Sequence, residues 1–242
     1  MRMLVSVRDG SEALRAAEAG ADFIDLKEPR AGALGGREPS QIRDIVAVLR
    51  RHQPRVTISA TIGDLPIDAA DAILRQVDAV GQCGVDLVKV GVPGQGGAAA
   101  CDLLRRLGAT NWQVVPVLLA DAGVAASLLA TACAQPFPAL MLDTQGKTAG
   151  SLFDFMPVKD VAEVIRQART AGKLIGLAGA LREADLPKLH ALQPDFAGFR
   201  SAVCDGARTG ELVGDKVRAL RRALMQPIVE GGRLGVHLGT PA

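Results

Sequence analysis

Eight short apolar runs recur along this chain, each followed by a stretch with helical spacing, and that alternation restricts the fold more than any other feature. Strands are expected near residues 4–7, 22–27, 55–60, 85–90, 113–118, 137–142, 173–178 and 194–199. Helices are expected near 10–19, 39–51, 67–81, 96–107, 121–133, 157–171, 182–191 and 214–225, with Asp9, Asp68, Asp121 and Asp185 near N-terminal turns. The strands are almost continuously apolar, the mark of a parallel sheet buried on both faces. Eight β/α units in succession point to an α/β fold with a single (β/α)8 (TIM) barrel, and an open doubly wound sheet is the alternative. The barrel domain is placed at residues 1–226 and a glycine-rich C-terminal tail at 227–242.

Charge and composition exclude several classes of function. The 28 basic residues balance 26 acidic ones with no block of like charge, so no nucleic-acid partner and no membrane association are expected. Aromatics make up only 3% of the chain, which argues against stacking platforms for bases or sugars. No apolar run approaches the ~20 residues that span a bilayer. Cys83, Cys101, Cys133 and Cys204 lie far apart with no zinc-ligand spacing and read as reduced thiols of a cytoplasmic protein. His52, His190 and His237 occur singly, so no metal site and no cofactor is expected. A homo-oligomer is the expected assembly.

Charged residues nevertheless stand at the ends of buried strands, where they are costly unless paired or used. Asp25 and Lys27 close Ala21-Asp-Phe-Ile-Asp-Leu-Lys27, Lys89 closes Val85-Asp-Leu-Val-Lys89, and Asp143 follows Ala139-Leu-Met-Leu142. Strand residues alternate faces. If Ile24 and Leu26 face the helices, then Asp25 and Lys27 point into the barrel; the same parity turns Val85, Leu87 and Lys89 inward, with Met141 and Asp143. Strands two, four and six share a layer in such barrels, so Lys27, Lys89 and Asp143 should converge at the C-terminal mouth. Two neighbouring, partly desolvated ammonium groups favour a free amine, a nucleophile able to form a Schiff base with a carbonyl. Ordinary ion pairing between these lysines and aspartates is the competing reading.

The loops add further candidates. Lys147 lies in Asp143-Thr-Gln-Gly-Lys147-Thr-Ala-Gly-Ser-Leu-Phe-Asp-Phe155, a segment of small residues that lets its amine reach over the mouth. Gly176-Leu-Ala178-Gly179 and Gly198-Phe-Arg200-Ser201 follow the last two strands, where barrels commonly hold phosphate on backbone N–H groups; Arg200 is expected to add a bidentate oxyanion contact. Gly91-Val-Pro-Gly94-Gln-Gly96-Gly97 reads as a flexible loop, because no acidic ribose partner follows it at dinucleotide-binding spacing.

Taken together, these segments resemble the (5-formylfuran-3-yl)methyl phosphate synthase family of methanofuran biosynthesis. The resemblance is carried by Gly20-Ala-Asp-Phe-Ile-Asp25-Leu-Lys27-Glu-Pro29 with Gly32-Ala-Leu-Gly35, by Val88-Lys89-Val-Gly91, by Asp143-Thr with Lys147 and Ser151-Leu-Phe-Asp154, and by Gly176-Leu-Ala-Gly179. It implies a barrel lyase that condenses two glyceraldehyde 3-phosphates, releasing phosphate and water. Lys27 matches the family's Schiff-base lysine, Lys89 and Lys147 its further catalytic lysines, and Asp25 and Asp143 their acidic partners. One departure is the segment Lys147-Thr-Ala-Gly150, where family members carry Lys-Asp-Gly, so an acidic neighbour of Lys147 is missing. A class I aldolase or an isomerase of another phosphosugar would use the same inward lysine and phosphate turns.

Overall fold

A computed structural model describes residues 1–32, 34–146 and 150–226. Eight parallel strands close into a barrel in chain order: β1 Arg2–Val7, β2 Phe23–Leu26, β3 Thr57–Thr61, β4 Leu87–Pro93, β5 Val114–Leu119, β6 Ala139–Asp143, β7 Leu174–Leu177 and β8 Phe196–Phe199. Around them run α1 Gly10–Glu18, α2 Pro39–His52, α3 Ala70–Gly81, α4 Gly97–Gly108, α5 Ala126–Ala134, α6 Leu152–Phe155, α7 Val158–Thr170, α8 Leu186–Leu192 and α9 Gly214–Met225. The expected barrel is therefore formed.

Strand parity divides the core in two. Met3, Val5, Val7, Ile24, Leu26, Ile58, Val88 and Val90 face outward into the layer between sheet and helices. Leu4, Phe23, Val115, Val117, Ala139, Met141 and Phe196 fill the barrel interior, with Phe23 and Phe196 in tilted contact at 5.3 Å between ring centres. Gly176 packs directly against the Phe196 ring, leaving no space for a Cβ.

Three local expectations are corrected. Strand β4 continues through Pro93, so Gly91, Val92 and Pro93 belong to the barrel wall rather than to a loop. The bare Cα of Gly91 faces Leu34, which folds in from the loop after β2; a Cβ there would stand 2.5 Å from Leu34 Cδ1. Val85 packs against the outer layer, not inside, because it precedes the strand. There Asp86 is held by Arg50 at 2.7 Å and accepts the N–H of Ile58. Helix α5 begins at Ala126 rather than near 121, because the Asp121 carboxylate accepts the N–H groups of Gln145 and Gly146 at 2.7 and 2.8 Å and so anchors the loop after β6. Asp9 does cap its helix, accepting from the N–H of Glu12 at 2.9 Å. No described helix is long and apolar enough to cross a membrane.

Candidate active site

The C-terminal ends of the strands surround a partly open cavity. Lys27 and Lys89 line it with Asp143, together with Ala178, Gly179, Gly198, Arg200, Ser201 and Arg208. Strands β2, β4 and β6 thus deliver their charged ends to one space, as parity requires. Lys147 and the tail 227–242 lie outside the described residues.

Asp25 sits below the cavity floor, fully buried. Its Oδ1 lies 3.1 Å from Lys89 Nζ and accepts the Ser59 hydroxyl at 2.7 Å, while Oδ2 accepts the Ser6 hydroxyl at 3.1 Å. Burial alone would raise the pKa of this carboxyl; the charges of Lys89 and Lys27, with the Ser59 and Lys89 hydrogen bonds, outweigh it and hold the group below its ordinary value. Asp25 is therefore an anion that holds the Lys89 amine from beneath and is stabilised by the nearby charge of Lys27. Ser6 and Ser59, its hydroxyl donors from β1 and β3, carry no signal in the sequence beyond their inward parity.

Asp143 is buried at the end of β6 and accepts the N–H of Thr144 at 2.7 Å, which orients its carboxylate. The loop after β7 turns sharply at Gly179, with φ of 101°, followed by Ala180 at φ 45°. A non-glycine residue in this region is strained, and such strain gathers at functional walls. The N–H of Leu152 donates to Gly179 O at 2.8 Å, tying the Ser151-Leu-Phe-Asp154 segment to this loop. Ser151 in turn donates to Asp185 at 3.3 Å, so that motif braces the cavity wall.

Two expected phosphate residues stand differently from the expectation. Gly176 lies inside the barrel against Phe196 rather than on the cavity wall. Arg200 lines the cavity, but its donors are turned elsewhere: Nε donates to Arg208 O at 2.8 Å, Nη1 to Ser6 O at 3.1 Å and Glu12 Oε2 at 2.5 Å, Nη2 to Glu12 Oε1 at 3.2 Å and Gly210 O at 2.8 Å. All five guanidinium N–H groups are used within the protein, which corrects the reading of Arg200 as an oxyanion clamp. Glu12 and Arg208 complete this corner and were not foreseen; they come from α1 and from the loop after β8, far from each other in sequence.

Among the described residues no cluster of three or more His, Cys, Asp or Glu side chains could hold a metal ion. The arrangement offers two amines, one of them paired with a buried carboxylate, a second carboxylate on the cavity lining, and a wall of small residues.

The chain is similar to known proteins along nearly its whole length. Residues 3–221 match the family described as 4-HFC-P synthase. The (5-formylfuran-3-yl)methyl phosphate synthase of Methanopyrus kandleri is 35% identical over 237 residues, covering 92% of this chain and 98% of that protein. A protein of Methylorubrum extorquens provisionally given the same name is 37% identical over 231 residues, covering 92% and 94% of the two chains. Among solved structures, phosphoribosyl anthranilate isomerase from Thermus thermophilus superposes with a TM-score of 0.61 over 93% of this chain and 98% of its own, at 19% identity, a likeness of fold. By sequence along nearly its whole length, the chain belongs to the 4-HFC-P synthase family.

Proposed function

We propose that this protein is a (5-formylfuran-3-yl)methyl phosphate synthase of methanofuran biosynthesis, joining two glyceraldehyde 3-phosphates through a Schiff base on Lys27. The observation that carries the reading is the convergence of Lys27, Lys89 and Asp143 on one cavity, with a buried Asp25 paired to Lys89. Attack of the Lys27 amine on one triose aldehyde expels water and leaves an iminium, which acidifies the adjacent carbon. The resulting enamine adds to the aldehyde of the second triose. Elimination of one phosphate, ring closure, dehydration and hydrolysis of the iminium then give the furan, so that two trioses yield product, one phosphate and two waters. Asp143 and Lys89, both at the cavity wall, are placed to move the protons these steps require. Asp25 does not line this space; it holds the Lys89 amine in place from beneath and bears electrostatically on Lys27.

The test is incubation with glyceraldehyde 3-phosphate alone, followed by borohydride trapping and peptide mass measurement. The reading requires an ultraviolet-absorbing furan aldehyde and a reduced adduct on Lys27, with both lost in Lys27→Ala while the fold is kept. Dihydroxyacetone phosphate as the sole product would assign an isomerase instead, and turnover unchanged in Lys27→Ala would overturn the covalent role.

A further inference from the structure

Two arginines from the segment after β8 line the cavity, and their surroundings divide the work between them. Arg200 is 7% exposed, spends every donor within the protein, and is neutralised by Glu12 at 2.5 Å. Its Nε fixes the carbonyl of Arg208 at 2.8 Å. The Arg208 guanidinium, by contrast, makes one hydrogen bond among the described residues, from Nη2 to Gly32 O at 3.0 Å, which leaves most of its five donors for a ligand. No carboxylate among the described residues comes within ion-pair distance of it, whereas Lys89 has Asp25 and Arg200 has Glu12. Burial is the largest influence on Arg208 and works against its charge, yet a guanidinium remains protonated at any physiological pH. A half-buried permanent cation with open donors, sharing a cavity with Lys27 and Lys89 and only partly offset by Asp143 and Asp64, calls for an anion there.

We propose that Arg208 is a ligand of the substrate's phosphate monoester, with Arg200 the positioning residue that holds the Arg208 backbone in place. A phosphate dianion fits better than a carboxylate, because the same cavity wall carries Gly179, Ala180 and Ser201, the loop ends after β7 and β8 where barrels receive phosphate on backbone N–H groups. The Gly32 contact anchors the guanidinium to the loop after β2, so its fork is aimed before the ligand arrives. The identity of the phosphate as that of a triose rests on the function proposed above; the assignment of Arg208 to a phosphate does not.

Inorganic phosphate is therefore the probe, titrated calorimetrically into the full-length protein and into Arg208→Met and Arg208→Lys. Loss of charge-assisted hydrogen bonds should weaken phosphate binding about tenfold or more in Arg208→Met, with a smaller loss in Arg208→Lys, which keeps the charge. The second readout compares borohydride trapping with glyceraldehyde 3-phosphate and with glyceraldehyde, which lacks the phosphate. In Arg208→Met the preference for the phosphorylated aldehyde should narrow about tenfold; a purely structural role would lower both trapping rates together and leave their ratio unchanged. Phosphate binding equal to that of the unaltered protein, or an unchanged ratio, overturns the proposal. If neither aldehyde is trapped on the unaltered protein, the Schiff-base reading falls while the phosphate titration still decides Arg208.

Discussion

Asp25 and Lys89 form an ion pair at 3.1 Å with both side chains almost wholly excluded from water. Removing one partner from a buried pair leaves the other charge uncompensated, at a cost of about 3–5 kcal/mol. Asp25→Asn keeps the shape and deletes the charge, so it should lower stability in urea by that amount. Adding Lys89→Met should recover part of the loss, since the stranded ammonium is then gone. A double variant no more stable than Asp25→Asn alone would show that the two residues are not energetically coupled. The burial of this pair was legible in the sequence, because the apolar neighbours Ile24 and Leu26 leave Asp25 no other face. Ser6 and Ser59 were not legible, since a serine reads the same on a wet surface as under a carboxylate.

At the scale of elements, the strands were readable because their apolar runs are bounded by polar turns, while the loops hid their most consequential residue. Leu34 sits in a glycine-rich loop, yet it is 1% exposed and packs with Phe23, Val117 and Met141 in the interior of the barrel. Nothing in a loop composition of Gly32-Ala-Leu-Gly35 distinguishes a surface leucine from one that plugs the barrel; only Gly91 on β4, whose missing side chain makes room for it, records the contact. Leu34→Ala should therefore behave as a core truncation, costing about 2–5 kcal/mol in chemical denaturation. It should also loosen the loop that begins at Lys27, seen as faster amide exchange over residues 27–36. A loss under about 0.5 kcal/mol would place Leu34 on the surface instead. Arg208 was hidden for a related reason: its loop, Asp205-Gly-Ala-Arg208-Thr-Gly, has the composition of any turn, and its partner Gly32 lies 176 residues away.

The closure of the whole barrel converges on Glu12. From α1 its carboxylate receives Arg200 at 2.5 Å and Arg8 at 2.7 Å, while Arg200 also donates to the Ser6 carbonyl on β1 and to Gly210. One buried carboxylate thus joins the first strand and first helix to the segment after the last strand, at the seam where the ring closes. Burial taken alone would raise its pKa, but the hydrogen bonds from Arg200 and Arg8 prevail and bring it from 4.5 to about 2. Because the folded value lies below the unfolded one, the native state binds the proton less readily, and stability from this group is fully present above pH 4.5 and lost as pH falls towards 2. The depression corresponds to a contribution on the order of 3 kcal/mol at neutral pH. Glu12→Gln removes the titration and leaves Arg200 without its countercharge, so the difference in unfolding free energy between the two proteins should be large at pH 7 and shrink through the acid window. Parallel urea titrations across that range measure it directly: a difference that stays constant with pH would mean that the carboxylate's charge is not what holds the seam, and that the Arg200 donors to backbone carbonyls suffice to close the barrel.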